Sequence, residues 1–356
     1  MLILCSVTAT FGLHLPSLPS LADAALSRRT ALGLLAAAPL ATHLQAALAE
    51  PAAALATTAA ADPGATLCDT SVSCLRSARG QDITLVGTAH ISEESAALVR
   101  RIVQQIQPDE VMIELDPSRA AKLIGTRPTL KLEAPAGVVI ERPETAQQAA
   151  AKPAGSTFGI GSIAGRLLRG DIQEAGAQAV GAGLSSMYKQ LDQMGFQSGA
   201  EFVAAVEEAE RLGATVLLGD RDARVTVRRL RDALAEIATA PAGTYGASGT
   251  QVPQALLEAT GGGASEFNRE SVSSAMGVLK QRDNVRQLTA YLKAEVPPLH
   301  TALIAERDAY MAQSLLGASG SRIVAVVGLA HCDGIEAAIL SEAGASVRPK
   351  PRVCAA

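Results

Sequence analysis

The stretch DITLVGTAHISEESAALVRR, residues 82–101, joins an apolar run to a Gly-x-x-His pattern and then to an amphipathic segment. The run ITLVG is continuously apolar and bounded by glycine, which is typical of a buried parallel strand. The next segment favours a helix, because Ser92 is a good N-cap and Glu93 and Glu94 lie where the helix dipole favours anions. We therefore expect a strand that leads directly into a helix, with His90 at the corner.

A second strand is expected after this helix. Pro108 ends the helical pattern, and DEVMIELD, residues 109–116, is again largely apolar. Strand, helix and strand then form a βαβ unit, whose crossover is right-handed in nearly all proteins. The Gly-x-x-His pattern returns near the other end of the chain in RIVAVVGLAHCDGIEAAIL, residues 322–340. A last strand and a helix that begins at residue 334 are expected there.

Strands and helices also alternate in the middle of the chain. GAEFVAAVEEAERLG, residues 199–213, predicts an amphipathic helix, and ATVLLGD, residues 214–220, predicts a strand. Further helices are expected at 223–238, 270–294 and 298–316. This alternation indicates an α/β fold with a mainly parallel sheet and flanking helices. The helical stretches at 157–200 and 255–316 are expected to form a helical subdomain over the sheet.

Composition sets the expected domain bounds. Residues 50–66 are rich in Ala, Pro and Thr without periodicity, and the Ala-, Pro- and Gln-rich stretch 133–156 indicates an insertion or a loop. The closing SVRPKPRV favours either a short edge strand or a tail. The predicted division is a leader at 1–49, a linker at 50–80, the α/β domain at 81–345 and a tail at 346–356.

The first residues have the features of a targeting leader. A segment rich in Ser, Thr, Leu and Ala precedes the pair Arg28 and Arg29, an apolar run and an Ala-x-Ala site at 47–49. A transit-like segment followed by a twin-arginine signal is typical of import into the chloroplast thylakoid lumen. The alternative is a simple transit or secretory leader, with the protein in the stroma or another organelle or secretory compartment. The apolar run is too short and too interrupted to span a bilayer, so we expect a soluble mature chain without a transmembrane segment.

The composition also narrows the class of protein. Of the 356 residues, 48% are hydrophobic but only 3% are aromatic and none is Trp, so the core must consist of Ala, Val, Leu and Ile. The net charge of −4 provides no basic field for nucleic acid.

Cys68 and Cys74, six positions apart, fit either a small disulfide loop in an oxidising compartment or two free thiols.

Three side chains are expected to meet at one edge of the sheet. Ligands of open α/β sheets bind beyond the carboxyl ends of the strands. His90 and His331 each follow a strand, and Glu114 ends the strand after the first crossover. Gly87 and Gly328, three residues before the histidines, would permit a tight turn that directs each ring into the cleft.

Two imidazoles and one carboxylate form a ligand set that suits zinc and is compatible with other divalent transition metals, such as Mn or Co. An ion held in this way keeps an open position for water and lowers the pKa of that water. Without a metal, a histidine beside a carboxylate is a candidate general base. The structural alternative is that these histidines are turn residues only. Two such patterns in one chain, with a glutamate placed by a crossover, favour a site.

Two further groups of charges are expected near the same edge. LLGDRDARVTVRR ends a strand at Asp220 and Arg221, and IAERDAYMAQSLL carries Glu306, Arg307 and Asp308 among apolar residues. Charged residues on a helix usually form a solvated face. The apolar neighbours of Glu306, Arg307 and Asp308 indicate instead that some of these three side chains point into the cleft. An arginine there would hold a carboxylate or stabilise an oxyanion.

Five motifs resemble the TraB/PrgY family, in the order in which that family has them. They are LVGTAHISEES, PDEVMIELDPSR, GAEFVAAVEEAERLGATVLLGDRDARVTVRR, ERDAYMAQSLL and VVGLAHCDGI. The likeness is strongest to plant TraB-domain proteins and covers residues 81–340, with 133–185 poorly matched. The wider group includes the Tiki proteins and is related to GumN, erythromycin esterase and ChaN-like folds. The resemblance implies an α/β fold whose cleft is built from the two Gly-x-x-His motifs.

Tiki proteins are metal-dependent proteases in which such histidines and a glutamate carry activity. The resemblance therefore implies a metal and catalytic set of His90, Glu114 and His331, supported by Arg221 and Arg307. The second motif departs from the pattern of plant relatives, which commonly have Gly before this His and Leu after it. Here Cys332 follows the His and is a soft potential ligand.

Two functional hypotheses follow. The first is a metal-dependent, peptidase-like hydrolase of the organelle, with Mn, Co or Zn and a peptide or protein substrate. The second is a non-catalytic protein whose cleft holds a peptide, a small anion or haem, although nothing in the sequence strongly favours haem. A weaker third is an adaptor that uses the loops at 133–156 and 241–265 as partner sites. The oligomeric state is left open.

Overall fold

The computed structural model describes residues 66–89, 93–125, 127–140, 199–246, 248–259 and 269–350, with the isolated residues 186, 189, 190 and 193. The predicted leader, most of the predicted linker, the greater part of the stretches 133–156 and 157–198, and the last six residues lie outside these ranges. His90 and the predicted N-cap Ser92 also lie outside the described residues.

Seven strands of the described residues form one mixed sheet in the order β4-β5-β3-β6-β2-β1-β7. The pairs from β4 to β2 are parallel, whereas β1 is antiparallel to both β2 and β7. The predicted α/β class with a mainly parallel sheet is thereby confirmed. The strands are β1 Val72–Arg76, β2 Asp82–Thr88, β3 Glu110–Ile113, β4 Lys131–Glu133, β5 Thr215–Leu218, β6 Arg322–Gly328 and β7 Ser346–Val347.

The strand of the second Gly-x-x-His motif lies between the two strands of the predicted βαβ unit. In the register of the sheet, Thr88 of β2 is opposite Gly328 of β6, and Ile113 of β3 is opposite Val326. The connection from β2 to β3 therefore crosses over β6 instead of joining neighbouring strands. As a result, the carboxyl ends of β2, β6 and β3 are adjacent, as the site hypothesis requires.

Helices cover both faces of this sheet. They are α1 Glu93–Ile106, α2 Pro117–Gly125, α3 Ala200–Leu212, α4 Ala223–Thr239, α5 Gln254–Ala259, α6 Arg269–Leu279, α7 Arg282–Glu295, α8 Pro297–His300, α9 Glu306–Gly317 and α10 Leu329–Leu340. A π-helical turn, Thr301–Ala305, joins α8 to α9.

Alternate residues of each strand serve two separate cores, as the period of a strand requires. On β6, Val324 and Val326 pack with α1 and α3, whereas Ala325 and Val327 pack with α9 and α10. Aliphatic and small side chains dominate both cores, as the low aromatic content predicts. Phe202 is the aromatic side chain in the first of these cores.

The helices α4 to α8 form two smaller apolar clusters beside the sheet. One joins α4, α7, α8 and the π-helical turn through residues such as Leu230, Leu292 and Leu303. The other joins α5, α6 and α7 around Met276 and Leu288. Of these helices, α5 to α8 correspond to the C-terminal part of the predicted helical subdomain, whereas α4 lies outside it. In the residues described, no helix is long and apolar enough to cross a bilayer.

Several element boundaries differ from the prediction. The helix expected at 270–294 is divided between α6 and α7, and α10 begins at Leu329, five residues before the expected start. The sheet also extends beyond the predicted domain, because β1 lies in the stretch assigned to the linker and β7 in that assigned to the tail. Burial of Val72 and Leu75 of β1 against the rest of the sheet accounts for the first extension.

The two cysteines near the start of the domain do not pair with each other. Cys74 is a free, buried thiol in β1. Cys68 is disulfide-bonded, whereas Cys332 is a free, buried thiol like Cys74. The short loop between Cys68 and Cys74 is therefore not closed, and the pair is not two free thiols either.

Candidate functional site

Glu114 lies at the carboxyl end of β3, on the face of the sheet that α9 and α10 cover. Its backbone N–H continues the pairing of β3 with β6 by donating to the carbonyl of Val326, 3.2 Å away. Its side chain is buried, and Oε2 accepts a hydrogen bond of 2.5 Å from the backbone N–H of Gly328. The carboxylate of Glu114 is thus fixed at the point where β6 ends and α10 begins.

His331 belongs to the first turn of α10, and not to the turn that precedes the helix. The ring is buried, with Nδ1 2.6 Å from Oδ1 of Asp308 on α9. The other ring nitrogen, Nε2, lies 3.5 Å from Oε1 of Glu114. The predicted convergence of Glu114 and a Gly-x-x-His histidine is therefore present, with the edge of the ring directed at the carboxylate.

Arg307, one residue before Asp308, links this pair to Asp220 at the end of β5. Nη1 lies 2.9 Å from Nε2 of His331, and Nη2 donates to Oε1 of Glu114. Nη2 also donates to Oδ2 of Asp220 at 2.7 Å, and Nε donates to Oδ1 at 3.2 Å. Five residues singled out from the sequence thus form one contiguous cluster: Glu114, Asp220, Arg307, Asp308 and His331.

Asp116 and Arg119 complete the cluster, and the sequence analysis did not identify them. Arg119 donates to Asp116 through Nε and to Asp220 through Nη2, each at 2.5 Å. Asp116 also accepts from the backbone N–H of Ser118 at the start of α2. The sequence contains one signal for them, which is their position at the end of β3. In ELDPSR the Asp precedes Pro, and the Arg follows one helical turn later at the same strand end. The side chain of Arg119 is 33% exposed, so the cluster reaches solvent there.

The charges of the cluster shift the pKa values of its members. Burial by itself raises the pKa of Asp220, but the guanidinium groups of Arg307 and Arg119 outweigh burial and lower it. Burial by itself lowers the pKa of Arg307, but Asp220 and Glu114 raise it overall. The pKa of Asp308 is raised, because burial outweighs the hydrogen bond with His331. Arg307 and Asp220 therefore form a permanently charged pair.

Arg221 and Glu306, also singled out from the sequence, lie beside the cluster and contact each other. Nη1 of Arg221 donates to Oε2 of Glu306 at 2.7 Å, and Nη2 donates to the carbonyl of Ala302 at 2.7 Å. Ala302 belongs to the π-helical turn, in which i→i+5 bonding replaces the regular ladder of an α-helix. Arg221 therefore stabilises the turn that leads into Arg307 and Asp308, and its catalytic role stays a prediction.

Gly87 and Gly328 do not form the tight turns that the sequence analysis expected. Gly87 lies within β2, where a Cβ atom would come within 2.4 Å of Cδ1 of Leu329 and 2.7 Å of Sγ of Cys332. Gly328 is the N-cap of α10 in an extended conformation with φ −63°. The reason for glycine at position 87 is thus the close approach of α10 to β2.

Cys332 is directed into the core between α10 and the sheet, away from the site. It is fully buried, and burial raises the pKa of its thiol well above the ordinary value. The position of the thiol, packed in the core against Gly87, does not favour the role of a soft ligand that the sequence suggested.

Glu114 and His331 have the spacing of two ligands of one ion. Their Oε1 and Nε2 atoms are 3.5 Å apart, and two ligand atoms of a tetrahedral zinc ion are about 3.4 Å apart. The contact of Nδ1 with Asp308 also provides the outer hydrogen bond that metal-binding histidines typically have. Among the residues described, no three His, Cys, Asp or Glu side chains are grouped around one position, and the third predicted ligand, His90, lies outside them.

Comparisons with known proteins agree with the motifs. The model of the TraB/PrgY/gumN family matches residues 75–349. TraB domain-containing proteins of Bos taurus and Homo sapiens are 26% identical to this chain over 287 residues, which is 75% of this chain and 64% and 65% of theirs. An uncharacterized protein of Methanocaldococcus jannaschii is 25% identical over 256 residues, 71% of this chain and 52% of its own length.

The matched segments thus span less than two thirds of the length of these curated relatives. The family model, by contrast, begins within β1 and ends just after β7, so it includes six of the seven strands in full, the end of β1 and every residue of the cluster. The chain belongs to the TraB/PrgY/gumN family.

Proposed function

We propose that this protein is a metal-dependent hydrolase of peptide or related acyl substrates, with its reaction centre at Glu114 and His331. The observation that carries the proposal is the 3.5 Å separation of Glu114 Oε1 and His331 Nε2 at the carboxyl edge of a parallel sheet, with the ring anchored by Asp308. His90, which follows β2 next to β6, is the third proposed ligand.

The charge of the cluster favours a cation. In the contacts between described residues, the carboxyl groups of Glu114, Asp116, Asp220 and Asp308 are gathered around the guanidinium groups of Arg119 and Arg307. If all four were ionised, four negative and two positive charges would leave a surplus of two negative charges, which a divalent ion would neutralise. Zinc, manganese and cobalt all accept imidazole and carboxylate ligands.

The residues of the chain have separable roles in this proposal. When bound, the ion would lower the pKa of a water molecule and polarise the carbonyl group of the substrate. Asp308 holds the ring of His331, and the backbone N–H of Gly328 holds the carboxylate of Glu114. Arg307, anchored by Asp220, would stabilise the negative charge that develops on the carbonyl oxygen. Arg119, at the solvent side, is positioned to orient an anionic group of the substrate.

The guanidinium of Arg307 must move before Glu114 and His331 can bind an ion. Its terminal nitrogens contact the two atoms that would bind the ion, whereas its Nε contact with Asp220 lies outside that pair. We therefore expect the guanidinium to turn about its anchor at Asp220 when the ion binds.

Elemental analysis of the purified protein tests the proposal. The wild-type chain should contain one equivalent of Mn, Co or Zn, and both Glu114→Gln and His331→Ala should lose it. Glu258→Gln is the matched control, because Glu258 is exposed on α5 and its hydrogen bond is with Gln254. Cleavage of a fluorogenic peptide library should depend on the same metal. An unchanged metal content in the Glu114→Gln/His331→Ala double variant would rule out this site.

The contacts of Arg307 favour a second candidate, a non-catalytic binding protein. In the observed arrangement Arg307 forms hydrogen bonds with Glu114, Asp220 and His331 at the same time. It thereby occupies the atoms of Glu114 and His331 that an ion would bind. A peptide or small anion would then bind at Arg119 with no bond cleaved. Full rescue of a null strain by Glu114→Gln, which keeps the size of the side chain but removes its charge, would support this candidate over the hydrolase.

The leader and one further observation support import of the protein into the thylakoid lumen. Disulfides persist in oxidising compartments and are rare where thiols are kept reduced, and Cys68 is disulfide-bonded. This supports import into the thylakoid lumen over retention in the stroma. A fusion of residues 1–65 to a fluorescent reporter should reach the lumen, and substitution of Arg28 and Arg29 by Lys should stop it at the stroma.

A further inference from the structure

The two ring nitrogens of His331 have neighbours that demand opposite roles. Nη1 of Arg307 lies 2.9 Å from Nε2, and a guanidinium group only donates, so Nε2 must offer a lone pair. A neutral imidazole with its lone pair on Nε2 carries its proton on Nδ1. Oδ1 of Asp308 lies 2.6 Å from Nδ1, where it accepts that proton in a hydrogen bond. Both contacts therefore fit the same neutral tautomer of the imidazole.

Asp308 reaches the ring because one position on α10 has no side chain. Gly334 lies one turn after His331 on α10, facing α9. A Cβ atom at this position would lie 1.9 Å from Oδ2 of Asp308, 2.6 Å from its Cγ and 2.9 Å from its Cβ. Because even the Cβ of Asp308 would be too close, rotation of the carboxylate alone could not relieve the overlap. The backbone of α9 or the side chain of Asp308 would have to move.

We propose that Asp308 is a positioning residue that holds His331 in the Nδ1-protonated tautomer, with Nε2 directed at Glu114, and that Gly334 provides the space this contact needs. The consequence for chemistry rests on the proposed function: Nε2 is the atom that would bind a cation or accept a proton. The tautomer itself is a property of the chain and does not depend on any activity.

Two glycines, Gly87 in β2 and Gly334 in α10, allow close packing on two sides of α10. Gly87 allows α10 to lie close to β2, and Gly334 allows α9 to lie close to α10. His331 is thus fixed from two sides, by the sheet beneath its helix and by the carboxylate of the adjacent helix. Each contact involves a different neighbour, so each can be altered separately.

Nitrogen-15 NMR of the full chain with labelled histidine tests the proposal without an activity assay. Two-bond proton–nitrogen correlations distinguish a protonated ring nitrogen from one with a lone pair, and His331→Gln assigns the signal among the five histidines of the chain. In the wild-type protein, Nδ1 should carry the proton, with that proton shifted downfield by the charged acceptor. Asp308→Asn should move this proton upfield, because the acceptor loses its charge.

Gly334→Ala is the more selective variant, since it leaves both His331 and Asp308 in the chain. It should abolish the downfield proton and yield a mixture of tautomers. Gly317→Ala is its control, because Gly317 lies on α9, the helix of Asp308, and a Cβ atom there would have no described neighbour within 4 Å. A wild-type ring with its proton on Nε2, or on both nitrogens, would overturn the proposal, as would an unchanged Nδ1 signal in Gly334→Ala. Absence of metal and of peptide cleavage, with the expected tautomer present, would refute the hydrolase alone.

Discussion

Nη1 of Arg307 lies 2.9 Å from Nε2 of His331, and the other terminal nitrogen donates to Glu114. The guanidinium therefore contacts the same two atoms that a divalent ion would bind. Its Nε bond to Asp220 lies outside that pair, and the permanently charged Arg307–Asp220 pair anchors it there. Arg307 is thus both the competitor of an ion at this position and the group best placed to stabilise an oxyanion beside it.

Replacement of Arg307 by Met separates these two roles. We expect tighter binding of a divalent ion in Arg307→Met, because Glu114 and His331 lose their competing partner. Peptide cleavage should nonetheless fall by about 100-fold, the usual loss when one donor to an oxyanion is removed. Isothermal titration with Zn²⁺ or Mn²⁺ and steady-state kinetics measure the two effects. Weaker ion binding in Arg307→Met would show that the arginine supports the ion instead of competing with it.

Arg307→Met should also destabilise the fold, by about 3 kcal/mol, because it leaves Asp220 buried with one fewer cationic partner. Arg286→Met is the matched control. Arg286 forms an ion pair with Asp333 of α10, but its side chain is 53% exposed, so its loss should cost less than about 1 kcal/mol. Chemical denaturation at pH 7 measures both values. Equal costs for the two variants would contradict a specific role for burial at Arg307.

Arg221 is expected to act through the π-helical turn and not at the reacting atoms. Arg221→Lys removes the hydrogen bond to the carbonyl of Ala302 and should lower the free energy of unfolding by about 2 kcal/mol. Hydrogen exchange at residues 301–308 should accelerate, because the turn loses its anchor. Arg229→Lys is the control, since Arg229 contacts the same Glu306 carboxylate from an exposed position. If exchange accelerates equally in both variants, the Ala302 contact is not what holds the turn.

The opposite edge of the sheet provides a test that depends on pH. Glu110 of β3 is fully buried; Oε2 accepts from the N–H of Gly320 at 2.6 Å, while Oε1 has no hydrogen-bond partner among the residues that the structure describes. Burial raises the pKa of Glu110, and the nearby carboxylates of Glu133 and Asp109 add to this, whereas the Gly320 N–H and the Ser319 hydroxyl act against it. A carboxyl group whose pKa is higher in the folded state favours folding at low pH, and this contribution is lost as pH rises through the folded pKa.

Glu110→Gln removes that dependence. The variant should be more stable than the wild type at pH 7, by about 1 kcal/mol, because it no longer has to bury an ionised carboxylate. The difference should vanish as pH falls below about 4.3, where the wild-type glutamate is protonated in both states. Urea denaturation across this pH range measures the difference. Glu258→Gln, at an exposed position, should show no such trend, and a wild type that is the more stable protein at pH 7 would contradict the prediction.

The strands that position the site are readable in the sequence because each is an apolar run that is buried on both faces. β2, β3, β5 and β6 were all predicted for this reason. β1 was missed because VSCLR mixes polar and apolar residues, and it is a strand through its pairing with β2. β4, of three residues, is likewise too short for any period to appear, whereas β7 is the short edge strand that was one of the two expectations for SVRPKPRV. The position of β6 between β2 and β3 is a matter of tertiary packing that hydrophobic periodicity does not encode.

The cluster was predictable to the extent that it depends on strand ends. Glu114 and Asp220 follow apolar runs, and the carboxyl edge of a parallel sheet gathers whatever follows its strands. The partnership of Asp308 with His331 was not predictable, because the rotation of α9 depends on the extra residue of the π-helical turn before it. The contact of Arg221 with Ala302 was not predictable for the same reason, since Ala302 lies in that turn.

Gly87 supplies the last test, on the packing that places His331. Gly87→Ala would place a methyl group within 2.4 Å of Leu329 and 2.7 Å of Cys332, both on α10. We expect a loss of about 1–3 kcal/mol in the free energy of unfolding, the usual cost of overpacking. The displaced first turn of α10 should also carry His331 away from Glu114, so metal content should fall. Gly277→Ala is the control, because a Cβ atom at this helical position would meet nothing within 4 Å and alanine favours the helix by about 1 kcal/mol. A Gly87→Ala variant as stable as the wild type, with the same metal content, would mean that α10 can shift without moving the ring, and that Asp308 alone determines where His331 lies.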